Sequence, residues 1–313
     1  MNKDELIALA EQMSIDEYVY DEERGYYTSE GSPSDLAYET ARYFQDIQML
    51  SVLMDLLEQT KRLEMKQHFY FMLGTIGMNT GDVHVADLLL ERLAQETKPT
   101  LIVNILDELA KQERVDDAAA IIRYVEDPRS AVRNSAIEAL RVCRGDAVED
   151  ALIRFITTST DSFEITSANF VLATIGTKRV IPHLLPLLGH PKGDVRHSAL
   201  NALSELGDDS FLPIFIKGLE DRSIDVKAYA LLGIAKHGDA SAIQPVIKRL
   251  KVMLKRQRQI QSDDALVALR FLHRYRQSDK TIPVLFDWIV TKKWDILFDD
   301  EQQWLQEHLE GNG

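Results

Sequence analysis

Apolar residues in the middle of the chain step by three and four. Val195, Ala199, Ala202, Leu203 and Leu206 fall on one stripe of a helix, with Asp194, Arg196, His197 and Asn201 between them. The stripe recurs. Gly145, Gly176, Gly207 and Gly238 stand 31 residues apart, and Ala168, Ala199 and Ala230, then Leu172, Leu203 and Ile234, keep the same beat. Gly207 sits where its stripe ends, so the pattern predicts a left-handed residue closing that helix, with Asp208 as a side-chain cap for the next. A second apolar run follows in each unit, marked near its start by Pro182, Pro213, Pro245 and Pro283. Proline is tolerated in a first helical turn, where its missing N–H has no intrahelical partner. The chain therefore predicts pairs of amphipathic helices of about twelve residues, each about 18 Å long.

Such a pair cannot stand alone. A unit of 31 residues is shorter than the ~40 at which an unaided core becomes workable, so each pair needs neighbours against its apolar edges. Stacked units grow without a size limit, and the 313 residues then count repeats rather than separate globules.

The segments Ala131-Val132-Arg133-Asn134-Ser135-Ala136, Asp194-Val195-Arg196-His197-Ser198-Ala199 and Asp225-Val226-Lys227-Ala228-Tyr229-Ala230 carry a family resemblance. They look like the HEAT-like repeats of phycobilisome-lyase-type and armadillo-like proteins, most strongly from Ala118 to Gly238. The resemblance implies an all-α fold, a right-handed α-α superhelix of about eight helix pairs. Within a single solenoid it implies an acidic N-terminal cap over 1–33, divergent repeats over 34–117, well-matched repeats over 118–240, and divergent repeats with a closing helix over 241–313. It also implies that the recurring Arg133, Arg196 and Lys227, and the recurring Asp146, Asp208 and Asp239, ladder between adjacent repeats.

Composition narrows the function. With 15 Gly and 9 Pro the chain has too few turn residues for a many-stranded β fold. Cys143 is the single cysteine, which excludes an internal disulfide framework and a thiolate zinc cage. It shares the repeat position of Ile175 and Leu206, so it reads as a packing residue. The N-terminus lacks the apolar core of a signal peptide, and no uncharged stretch approaches the ~20 residues of a membrane helix. A soluble, cytoplasmic protein is expected.

Catalytic chemistry finds no foothold in the sequence. His183, His190 and His197 recur at intervals of seven, but Gly189, Pro191 and Gly193 interrupt them, which argues against one shared metal site. The deoxyhypusine hydroxylases, which are HEAT-like, hold iron with His-Glu dipeptides, and no such dipeptide occurs here. No residue pattern marks a bilin pocket of the lyase type. A pI near 5.1 disfavours the alkylpurine DNA glycosylases that share this repeat. No catalytic residue, cofactor or metal is expected.

Charge then points to surfaces. Residues 1–60 hold 3 basic against 14 acidic side chains, whereas 251–281 hold 8 against 3, within a net charge of −14. In the acidic end Tyr18, Tyr20, Tyr26 and Tyr27 interleave with Glu22 and Glu23, a candidate landing strip for a basic partner. In the basic stretch Lys248, Lys251, Lys255 and Arg258 step along one face of a long helix expected from Pro245 to Ile260. Arg270 and Arg274, with Arg276, follow on the next helix. Second helices line the concave side of such arrays, so this stripe is a candidate site for an acidic peptide or a few phosphates. The expected function is a non-enzymatic, monomeric protein-binding scaffold or regulator; the alternative is an immunity or inhibitor protein that neutralises a basic toxin.

Overall fold

A computed structural model describes residues 1–22 and 24–309. The chain forms two compact units, Met1–Thr158 and Ser159–Gly313. The first holds α1 (Lys3–Met13), β1 (Val19–Asp21), β2 (Tyr26–Thr28), α2 (Pro33–Ala41), α3 (Met49–Gln59), α4 (Leu63–Thr80), α5 (Val83–Gln95), α6 (Pro99–Leu109), α7 (Ala119–Ile122), α8 (Ser130–Ala139) and α9 (Asp146–Thr158). The second holds α10 (Ser162–Ile175), α11 (Ile181–Leu184), α12 (Gly193–Leu206), α13 (Leu212–Gly218), α14 (Ile224–His237), α15 (Ile243–Met253), α16 (Asp264–His273), α17 (Thr281–Lys292) and α18 (Asp299–Leu309). From α2 to α17 the helices alternate as first and second members of eight pairs, between α1 and the closing α18.

In the second unit the first helices pack in sequence: α10 on α12, α12 on α14, α14 on α16, and α16 on α18. Each of α10, α12, α14 and α16 carries a fully buried alanine, Ala168, Ala199, Ala230 or Ala268, and Ala230 lies against Gly218 of α13. The second helices supply the larger side chains. Phe215 of α13 is fully buried against Gly233 of α14, where a Cβ would stand 2.4 Å from its ring.

The first unit is tied by polar groups as well as apolar ones. Asn2 and Glu5 form a capping box on α1, and Ser32 caps α2 ahead of Pro33. His68 of α4 joins three elements, its Nε2 2.9 Å from Ser14 Oγ after α1 and its Nδ1 3.1 Å from Tyr38 Oη on α2. Gly74 of α4 leaves room for Glu108 of α6, and Gln112 donates to the Gly74 carbonyl at 3.1 Å. Burial pushes the Glu108 carboxyl up to about 7, against the Lys111 ammonium, which lowers it.

Four expectations need correction. The repeated glycines are not all left-handed: Gly145 has φ +115°, but Gly207 has φ −86° in extended backbone, as do Gly176 and Gly238. Gly207 is needed for space, since a Cβ there would lie 2.5 Å from the Leu203 carbonyl oxygen and 2.8 Å from the Phe211 ring. The second helices of the well-matched repeats are uneven rather than uniformly about twelve residues: α7 and α11 have 4 and α13 has 7, whereas α9 has 13. Pro186 lacks the N–H that would continue α11, and the chain tightens to a 3-10 helix over Leu185–Gly189. The basic helix ends at Met253 rather than 260, as Leu254 turns into the core. Finally, the tyrosine-rich segment is a β-hairpin, with Tyr20 paired to Tyr27, where only helix was foreseen.

Other expectations hold. Asp208 accepts from the Ser210 N–H and caps the next turn, and Cys143 is fully buried, its thiol pushed up to about 11 by burial. Gly207→Val should destabilise the fold by about 1–3 kcal/mol through overpacking, read as a lower urea midpoint; an unchanged midpoint would contradict the close approach.

Candidate functional site

The expected basic stripe is broken up by its surroundings. Lys248 of α15 pairs with Glu220 at 2.9 Å, Lys251 remains exposed, and Lys255 lies exposed beyond the helix end. Arg274 of α16 donates to the Ala235 carbonyl at 2.7 Å and lies over the Phe271 ring, while Arg270 is exposed. Arg258 is taken out of the stripe altogether, as described below.

The second helices instead bring together a different set. A groove of about 670 Å³ between α13 and α15 has an apolar floor of Pro213, Ile216, Leu219 and Val252. Lys217, Lys227, Lys248 and Arg249 surround it, with Glu220 as a carboxylate on its wall. A second groove of about 550 Å³ adjoins it, lined by Leu188, Leu200 and Ile214 and by the Arg196–Asp221 pair. Lys217 and Glu220 line both, so the two run side by side along α13.

Not every cation in the groove is neutralised. Lys248 has Glu220, but among the described residues no carboxylate pairs with Lys217 or Lys227. Arg249 approaches Asp264 only to 3.7 Å, and its Nε is buried without a hydrogen-bond partner. Burial holds the Arg249 guanidinium below its ordinary value and the Asp264 carboxyl above its own, as expected for a loosely compensated pair. Sequence reasoning had singled out Lys248 but missed Lys217 and Arg249, and had given Lys227 a place in the ladder between repeats. The signal was present, because Lys217 and Lys248 stand one 31-residue repeat apart.

At the acidic end the hairpin collects the predicted tyrosines. Tyr20 and Tyr27 face one another with ring centroids 5.1 Å apart, and Tyr18, Tyr20, Tyr26 and Tyr27 are 62%, 51%, 52% and 71% exposed. Four large rings left that open form an exposed aromatic patch rather than a core. Glu22 is exposed in the turn; Glu23 lies outside the described residues.

Comparison with known proteins bears on the fold. The HEAT repeat model matches residues 180–210. Protein YibA of Escherichia coli strain K12 is 25% identical over 154 residues, covering 48% of this chain and 51% of YibA, and its counterpart in strain O157:H7 matches equally. The chain spans about half the length of the curated relatives it matches. An X-ray structure of E. coli YibA superposes with a TM-score of 0.56 at 18% identity, covering 92% of this chain and 100% of that one. The protein folds as a HEAT-like α-solenoid. The complex of CpcE and CpcF of phycocyanin lyase from Nostoc sp. PCC7120 is also similar, at 20% identity over 71% of this chain and 92% of that chain, with a TM-score of 0.47.

In this HEAT-like array only some of the recurring charges ladder between repeats: Arg196 and Asp208 do, whereas Lys227 has no carboxylate partner among the described residues and Asp239 turns back on Ser241 of its own turn. Lys178 Nζ lies 2.8 Å from Asp208 Oδ2 and helps hold that carboxyl down at about 2; Lys236 reaches Glu205 at 2.8 Å, and Arg196 grips Asp221 through Nε at 2.9 Å and Nη2 at 2.7 Å. Arg258 belongs to the same structural class. Its Nη1 and Nη2 donate to Glu301 Oε1 and Oε2 at 2.6 and 2.5 Å, and its guanidinium covers the Phe298 ring, tying α18 to the turn after α15. The Glu301 side chain is only 1% exposed, so it depends on that partner. Arg258→Met should therefore cost about 3–5 kcal/mol in urea unfolding, while Lys251→Glu and Lys255→Glu should each stay within about 0.5 kcal/mol. Equal effects at all three positions would contradict this separation.

Proposed function

We propose that this chain is a non-enzymatic protein-binding scaffold that holds an acidic, extended segment of a partner protein in the groove between α13 and α15. The observation that supports it is the excess of cations around an apolar floor. Lys217 and Lys227 face the groove without carboxylate partners among the described residues, and Arg249 has hydrogen-bonding capacity to spare. A peptide with alternating apolar and acidic side chains satisfies both features at once, burying its apolar groups on Pro213 and Ile216 and its carboxylates between the lysines. The adjoining groove along α13 gives such a segment room to continue. Nucleic acid is the weaker ligand for this surface, because a net charge of −14 repels a polyphosphate beyond the local patch. Among the described residues no helix is long and apolar enough to cross a membrane. A reducing, cytoplasmic setting goes with this reading, since the lone thiol of Cys143 is committed to packing.

A second reading rests on the hairpin. Its exposed tyrosines beside Asp21 and Glu22 suit a basic protein, and the chain would then act as an inhibitor or immunity protein steered to its target by charge.

Fluorescence anisotropy with labelled decapeptides separates the two. A Leu/Glu peptide should bind, and the double variant Lys217→Glu/Lys227→Glu should weaken it about tenfold or more, or ~1.4 kcal/mol. Binding that ignores this reversal would overturn the groove reading. Binding only of a Leu/Lys peptide, lost in Tyr20→Ala/Tyr27→Ala, would establish the hairpin reading in its place.

A further inference from the structure

The N-terminal ends of α12 and α14 carry a group of side chains that the proposed function does not use. Asp194 lies in the first turn of α12, His197 one turn later, and Asp225 in the first turn of α14, one repeat further along. One oxygen of each carboxylate and one ring nitrogen of His197 all lie within 4.8 Å of one another. Among the described residues neither carboxylate has a hydrogen-bond or ion-pair partner.

The imidazole is held in place. It stacks on Tyr229 with centroids 4.9 Å apart and planes 8° from parallel, and Phe170 closes the other approach at 5.9 Å. Its Nδ1 is buried and has no hydrogen-bond partner, which is unusual for a polar atom shut off from water. Burial works against the charged form of the ring, opposed by the two aspartates.

We propose that Asp194, His197 and Asp225 form a binding site for one borderline divalent transition-metal ion, with Zn²⁺ as its representative, bridging two successive repeats. The donor set decides the class of ion. An imidazole beside two carboxylates suits zinc and its neighbours better than Ca²⁺ or Mg²⁺, which prefer oxygen alone. Three protein ligands leave a fourth position for water. Zinc bonds of ~2.0–2.2 Å require the ligand atoms to draw somewhat closer than their present separation. The stacked His197 is the fixed ligand, and the two exposed aspartates, each free to rotate about its own side-chain bonds, are the adjustable ones. The bound ion would link the N-terminal ends of α12 and α14. It would also neutralise two carboxylates that stand one repeat apart.

The test is calorimetric titration of ZnSO₄ into the full chain after dialysis against chelator, repeated on Asp194→Asn/Asp225→Asn and on His197→Phe. The asparagine pair keeps side-chain size at exposed positions, and phenylalanine keeps the stack on Tyr229. A melting curve without metal checks that each variant is folded. The wild-type chain should take up one Zn²⁺, with a higher Tm in its presence, and the asparagine pair should weaken that site about tenfold or more. His197→Phe should lose it likewise. Wild-type protein that takes up no Zn²⁺, or an uptake unchanged in both folded variants, would overturn the assignment.

Discussion

The close packing of helices at small side chains, first helix on first helix and first helix on second, is the constraint on which the second unit depends. Ala168, Ala199, Ala230 and Ala268, one on each of α10, α12, α14 and α16, are fully buried, and Ala230 lies against Gly218 of α13. Larger residues there would hold the helices apart and open the layer behind them, where Phe215, Val246 and Leu250 fill the space toward the second helices. The same requirement explains the glycines. Gly207 and Gly233 have no room for a methyl group, one beneath a carbonyl and an aromatic ring, the other beneath Phe215.

This geometry also sorts the charges. A side chain near the seam between repeats meets the next repeat about 31 residues on, so Lys178 finds Asp208 and Lys236 lies against Glu205. These exposed pairs contribute little stability but set the register of neighbouring units. Arg258 and Glu301 differ because both are largely buried, and there the pairing prevents a heavy desolvation cost. What remains without an ion-pair partner among the described residues is Lys217 and Lys227 over the apolar groove, and Asp194 and Asp225 beside His197.

The periodic part of this architecture was legible in the sequence because it is local. A stripe ending at Gly207, a cap at Asp208 and a proline near the head of the second helices α11, α13, α15 and α17 are all set by a few adjacent residues, and so was the burial of Cys143. The helix ends were less legible. Lys248 to Arg258 shows an unbroken helical spacing of cations, yet the helix stops at Met253 because Leu254 and Arg258 have tertiary partners that the spacing does not reveal. The hairpin was hidden for another reason: its tyrosines read equally well as a helical cap. The groove joins Pro213 to Pro245 and Lys217 to Lys227, and the candidate metal ligands join α12 to α14. Such sites arise only when repeats stack, so no single segment announces them.

Neighbour dependence can be tested where it matters most by native-state hydrogen exchange on the full chain carrying Phe215→Ala. That substitution empties the space between α13 and α14 and should cost about 3–5 kcal/mol locally. If each repeat is held chiefly by the ones beside it, amide protection should fall in α12 to α16 and stay near wild type in α4 to α6. A uniform loss of protection across both units would show a single cooperative core, and would contradict the account.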